Sequence, residues 1–269
     1  MKDRRSYHHR GGDAPLLGVT IPEHFAAVAR AHGDRAAVIG VPQGRRLSYA
    51  ELAGATDELA RGLLAAGFGP GDRVGVWSTN NIEWLLLQMA TARIGAVLVN
   101  INPAYRPKEL AYALEKSEVQ GLFTIPAFRG SDYVGMLREL IPALDEPAQG
   151  ALSCDAYPAL RRVVVYDPAA PSETRRPAPG FGTWQEVIAA GREIPAERLA
   201  GVSARLDPDE PINLQYTSGT TGFPKAVVLT HHNILNNAWF AAHALPLAAG
   251  ERLAVSVPFY HCFGMVLSN

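Results

Sequence analysis

From Arg73 to Tyr166 the chain alternates short apolar runs with amphipathic stretches, and this alternation restricts the fold more than any other feature of the 269 residues. Residues 74–77, 96–101, 119–124 and 161–166 read as strands. Between the first two, residues 81–93 place Ile82, Leu85, Leu86, Met89 and Ala90 on one helical face, a stripe that belongs in a core. Pro107 opens a further helix at its first position, where the missing N–H costs nothing. Continuous apolar strands separated by helices build a parallel sheet covered on both faces, an α/β fold.

Ahead of this block, residues 1–20 read as a flexible arm, 21–31 as a helix and 36–39 as a short strand. Ser48 and Glu51 form a capping box, the serine oxygen and the carboxylate each satisfying a backbone donor at a helix start. The helix it opens carries Leu52, Ala55, Leu59 and Leu63 at helical spacing and stops at Gly67 and Gly69-Pro70-Gly71. Residues 142–158 and 167–182, rich in Pro, Ala and Gly, read as surface loops.

The stretch Tyr216-Thr-Ser-Gly-Thr-Thr-Gly-Phe-Pro-Lys225 cannot pack a core, because no apolar side chain interrupts Thr217 to Gly222. It lies between two strand-like runs, 211–216 and 226–229, so it is held at both ends and exposed in the middle. Glycines let the backbone approach a ligand closely. Hydroxyls and successive N–H groups supply donors and Lys225 supplies charge, which makes an anion cradle suited to phosphate. The spacing is not that of a Walker loop, since Lys225 follows Pro224 and precedes a strand rather than a helix.

Downstream, Thr230 is placed to cap a helix over 231–244. His231 and His232 are adjacent, so they cannot share one helix face as metal ligands would; they read as a solvated helix start. Residues 253–257 read as a strand leading into Pro258-Phe-Tyr-His-Cys-Phe-Gly264.

Taken together, the loop, Leu229-Thr-His-His-Asn-Ile-Leu-Asn-Asn237, the Pro258–Gly264 run, Leu47-Ser-Tyr-Ala-Glu-Leu52, Gly71-Asp-Arg-Val74 and Val99-Asn-Ile-Asn-Pro-Ala-Tyr105 resemble the adenylate-forming superfamily over nearly the whole chain. Within it the sequence looks most like medium-chain fatty acyl-CoA synthetases. The resemblance implies stacked, parallel-rich sheets flanked by helices, with the second sheet incomplete. It assigns 71–205 to a first α/β subdomain, and 21–70 with 206–269 to a second; the C-terminal lobe of such enzymes has no counterpart in these residues.

The same resemblance implies ATP-dependent activation of a fatty acid to an acyl-adenylate and transfer to coenzyme A, with Mg²⁺ bridging phosphate oxygens. The catalytic residues carried over are Thr217, Lys225 and His261. Nucleotide binding is carried over to Thr217, Ser218, Gly219, Thr220, Thr221, Gly222, Phe223, Pro224 and Lys225. Tyr260, His261, Phe263 and Gly264 fall in the segment that lines the cleft where acyl chain and pantetheine meet. One position departs from the family pattern: Ala226 stands where glycine is usual, which a negative φ would tolerate. The 269 residues alone are expected to be inactive. Loading of a carrier protein, or nucleotide binding without catalysis, are the alternative readings.

Composition agrees with a small-molecule enzyme. A net charge of −1 argues against a nucleic-acid partner. Cys154 and Cys262 form neither a close pair nor a metal spacing, which points to a reducing compartment, the cytoplasm. The most apolar stretch, 82–101, is interrupted by Glu83 and Arg93 and does not span a membrane. Nothing in the sequence sets the oligomeric state.

Overall fold

The computed structural model describes residues 15–147, 150–217, 224–245 and 247–269. Helix α1 (Ile21–His32) starts at a capping box between Thr20 and Glu23. An antiparallel pair, β1 (Ala36–Gly40) and β2 (Arg45–Ser48), then leads into α2 (Tyr49–Ala65), whose Ser48–Glu51 box forms as expected. The alternating block follows: β3 (Arg73–Trp77), α3 (Ile82–Ile94), β4 (Val97–Ile101), α4 (Pro107–Lys116) and β5 (Gly121–Thr124). A small hairpin of β6 (Ala127–Phe128) and β7 (Ser131–Asp132) opens α5 (Tyr133–Leu140). Strands β8 (Arg162–Val165) and β9 (Gly182–Thr183) precede α6 (Trp184–Ala190) and α7 (Ala196–Ser203). The hairpin β10 (Pro211–Thr217) and β11 (Lys225–Thr230), then α8 (His231–Ala244) and the single turn α9 (Cys262–Met265), complete the order.

Seven strands form one sheet in the order β11-β10-β4-β3-β5-β8-β9, parallel throughout except for the β10–β11 pair. The α/β fold class read from the alternation is therefore the one observed. The loop strand sits differently from expectation: instead of entering a separate second sheet, β10 pairs in parallel with β4 and extends the first. Ile212 to Gln215 are all buried, so β10 has the covered environment of an interior strand while β11 takes the edge.

Because β3 to β4 and β4 to β5 step across the sheet in opposite directions, right-handed crossovers place α3 and α4 on opposite faces. Helix α3 packs under α1, α2 and α7 and is buried nearly all round. Glu83, which interrupts its apolar run, is buried too, paired with Arg45 and accepting from the Gln43 amide at 2.7 Å. Helices α2 and α6 approach closely at Gly62, where a Cβ would stand 2.4 Å from the Val187 carbonyl oxygen.

Three regions differ from the sequence reading. Residues 253–257 form no strand. An alternating apolar pattern makes a strand only where a neighbour offers a ladder, and none does here. His231 is fully buried rather than solvated: its Nδ1 accepts the Ile21 N–H at 3.3 Å, and its Nε2 is a buried nitrogen without a partner among the described residues. The expected loose arm is fixed from Leu17 onward. Its N–H donates to Asn236 Oδ1 at 2.7 Å and its carbonyl accepts from Asn236 Nδ2 at 3.1 Å. The remainder of that arm, 1–14, lies outside the described residues.

Candidate active site

All parallel strands present their carboxyl ends along one side of the sheet, where ligands of open α/β folds bind. Trp77, Ile101 and Thr217 close β3, β4 and β10 there. The loop after β4 is held tightly. Trp77 Nε1 donates to the Asn102 carbonyl at 3.2 Å, the Tyr133 hydroxyl donates to the Pro103 carbonyl, and the two rings stack with centroids 3.6 Å apart. This fixes Tyr105 at the entrance to α4.

The phosphate-loop candidate leaves from this same side. Thr217 and Lys225 are the last pair of the β10–β11 ladder, and both are exposed. Pro224 is half-buried; Ser218, Gly219, Thr220, Thr221, Gly222 and Phe223 lie outside the described residues. Ala226 pairs with Tyr216 in the ladder. Among the described residues only Glu118 and Arg129 combine a side chain with positive φ, so Ala226 takes the conformation that accommodates its methyl.

The aromatic-histidine run reaches the carboxyl end of β3 through one side chain. Asn80 Nδ2 donates to the Val257 carbonyl at 2.8 Å, and Asn80 Oδ1 accepts the Phe259 N–H at 2.7 Å, so a single carboxamide imitates one rung of a sheet. Phe259 then packs against Trp84 with ring centroids 5.3 Å apart. Further along, buried Met265 is gripped by two amides. Asn100 Nδ2 and Gln215 Nε2 point at its sulfur from 3.3 and 3.4 Å, across the β4–β10 register pair. Gln88 Nε2 also donates to its carbonyl at 3.3 Å.

Between these anchors Tyr260 is half-buried, His261 and Phe263 are exposed and Gly264 is buried. His261 caps α9, its Nδ1 accepting the Phe263 N–H at 3.3 Å. A Cβ on Gly264 would stand 2.3 Å from the Pro258 carbonyl oxygen, so the turn closes on glycine.

Burial raises the pKa of Tyr105 to about 12, with smaller contributions from Tyr216, Glu109, Tyr260 and Tyr112. Asn80, Tyr105, Tyr112 and Gln215 were not singled out from sequence as site residues. Asn80 and its partners lie 177 and 179 positions apart, with no local pattern to reveal them.

Among the described residues no three His, Cys, Asp or Glu side chains converge as a metal site, and no helix is long and apolar enough to cross a membrane. The arrangement offers exposed hydroxyl and ammonium groups at a hairpin mouth.

The profile of the AMP-binding enzyme family matches residues 25–268. Among curated relatives, YngI of Bacillus subtilis (strain 168) is 38% identical over 94% of this chain and 45% of its own length. The mitochondrial medium-chain acyl-CoA ligase ACSF2 of Danio rerio is 36% identical over 97% of this chain and 42% of its own. The apo structure of Mycobacterium smegmatis MbtA superposes with a TM-score of 0.73 at 29% identity, covering 94% of this chain and 41% of that one. The chain therefore spans less than half the length of these relatives. With a profile that matches over most of its residues, the chain belongs to the AMP-binding enzyme family.

Proposed function

We propose that this chain contributes the phosphate loop and part of the acyl–thiol cleft to an enzyme that activates a medium-chain fatty acid with ATP and transfers it to coenzyme A. The observation that supports this most is the pairing of Thr217 with Lys225 at the carboxyl edge of the sheet. It presents a hydroxyl and an ammonium group together at the mouth of a loop rich in donors.

In the first half-reaction a carboxylate oxygen attacks the α-phosphorus of ATP, the bond to pyrophosphate breaks, and an acyl-adenylate forms. Charge then accumulates on the departing phosphates. The hydroxyls of Thr217, Ser218, Thr220 and Thr221 and the N–H groups of the loop donate to those oxygens, and Lys225 neutralises them as a point charge. Mg²⁺ bound with the nucleotide would add positive charge beside Thr217 and Lys225 and so assist in neutralising the phosphates.

In the second half-reaction the coenzyme A sulfur attacks the acyl carbonyl, the thiol proton is released, and AMP departs. Tyr260, His261, Phe263 and Gly264 wall the space where acyl chain and thiol meet, and His261 presents its ring at the surface of that wall. Cys154 and Cys262 are both free thiols, in keeping with a reducing compartment such as the cytoplasm.

The test is a chimera in which these 269 residues replace the corresponding part of the Bacillus subtilis relative. Octanoate-dependent exchange of pyrophosphate into ATP, followed by thioester formation with coenzyme A, is the expected result. A folded chimera without acid-dependent exchange would overturn the proposal.

A further inference from the structure

The β10–β11 ladder fixes the width of the loop mouth at Thr217 and Lys225, but a hairpin at a sheet edge can still swing out of the sheet plane. Val227 and Val228 on β11 are exposed, and only Ala226 and Leu229 beside them pack against the core, so the strand is lightly held by packing. A further restraint comes from α4, and it acts on both arms of the mouth.

On the entering arm, Tyr216 reaches the carboxyl-terminal turn of α4. Its hydroxyl donates to the Ala113 carbonyl at 3.2 Å and lies 2.6 Å from Ser117 Oγ. Since the phenol proton goes to Ala113, the short contact is Ser117 donating to Tyr216. That carbonyl also accepts the Ser117 N–H at 3.2 Å, so the phenol is a second donor to it at the end of the helix. On the returning arm, the Tyr112 hydroxyl donates to the Pro224 carbonyl at 3.2 Å. Proline has no N–H to offer, so its carbonyl is the backbone group through which this point of the loop can be held. The two tyrosine rings meet edge to face, with centroids 6.3 Å apart and planes at 61°.

Helix α4 is itself immobilised by buried Leu110, Ala113 and Leu114, and the loop before it is pinned by Trp77 and Tyr133. A chain of contacts therefore runs from the core through α4 to both ends of the glycine-rich loop. We infer that Tyr112 and Tyr216 are positioning residues, which fix the two ends of the glycine-rich loop at Tyr216 and Pro224 so that Thr217 and Lys225 next to them meet the phosphates of the nucleotide. The inference rests on the phosphate-loop reading above. Neither phenol needs to touch the ligand; each acts by holding the backbone that does.

Tyr112→Phe and Tyr216→Phe remove only a hydroxyl and leave the edge-to-face ring contact in place. The experiment measures binding of magnesium pyrophosphate to the 269-residue chain by calorimetry, together with the melting temperature of each unliganded variant, and uses Lys225→Ala as the control for the phosphate reading. Each phenylalanine variant is expected to bind on the order of threefold to tenfold more weakly, the effect of one lost hydrogen bond, and the double variant more weakly still. Melting temperatures should fall by no more than about 2–4 °C. Wild-type binding that is lost in Lys225→Ala but undiminished in both phenylalanine variants would overturn the positioning role and leave the phosphate loop standing. Absence of binding by the wild-type chain would overturn both.

Discussion

Thr217 and Lys225 stand opposite each other as the terminal pair of the β10–β11 ladder, so a hydroxyl and an ammonium group eight positions apart in sequence emerge at one point of the sheet's carboxyl edge. Strand pairing alone produces this juxtaposition. The residue next to Lys225 is therefore constrained by the ladder and not by the loop.

That constraint gives a prediction for Ala226. Its place opposite Tyr216 with φ in the ordinary region means that the methyl group is accommodated. Ala226→Gly should leave pyrophosphate exchange in the chimera within about twofold, since an exposed edge strand gains little from added backbone freedom. A rise of tenfold or more would mean that the alanine distorts the loop.

His231 predicts a pH dependence of stability. Burial lowers its pKa to about 4, against weaker opposing effects from Glu23 and Asp207. The unfolded chain, with an ordinary histidine near 6.5, binds a proton that the folded chain refuses. Stability should thus fall as pH drops from about 6.5 towards 4, and this contribution should change no further below that. The full effect is about 3 kcal/mol. Urea unfolding from pH 7 to 4 checks it: His231→Asn, whose Oδ1 can replace Nδ1 as acceptor for the Ile21 N–H, should show a flatter profile. Parallel profiles would remove the assignment.

Asn80 predicts an effect on a distant cysteine. Its carboxamide holds Val257 and Phe259, three residues before exposed Cys262. Asn80→Ala gives up two hydrogen bonds, together about 2 kcal/mol, and should release the run. In a Cys154→Ser background, alkylation of Cys262 should become several-fold faster while the helical signal in circular dichroism stays constant. Unchanged alkylation would mean that the run is held by Met265 and Phe259 alone.

The edge of the sheet predicts self-association. Val227 and Val228 on β11, Phe240 on α8, and Leu253, Phe263 and Leu267 beyond it are exposed within the last sixth of the chain. Unpaired strand edges and apolar patches attract one another at micromolar to millimolar concentration. Light scattering after size exclusion should show the 269-residue chain associating with concentration, and Val228→Lys should shift it towards monomer. A strictly monomeric chain over that range would contradict this reading of the surface.

Much of this architecture is legible in the sequence because its signals are local. Strands β3, β4, β5 and β8 are short apolar runs buried on both faces, and Ser48 with Glu51 marks the start of α2 unambiguously. Thr183 with Glu186 carries the same signal for α6. The burial of His231 was legible too, since Ile234 and Leu235 follow it by three and four positions on the same helix face. Other features depend on tertiary contacts that no local pattern carries. The separation between Asn80 and Val257, the placing of β10 beside β4 and the grip of Asn100 and Gln215 on Met265 belong to this class. The sites of the loop residues 218–223 lie outside the described residues.

The central claim is that Lys225 neutralises charge on departing pyrophosphate, and separating the two half-reactions tests it most directly. In the chimera, Lys225→Ala should slow acyl-adenylate formation by about 30-fold to 1000-fold, corresponding to about 2–4 kcal/mol of transition-state stabilisation. Thioester formation from supplied acyl-adenylate and coenzyme A should change by less than about threefold, because no pyrophosphate leaves in that step. Equal losses in both half-reactions would contradict the account.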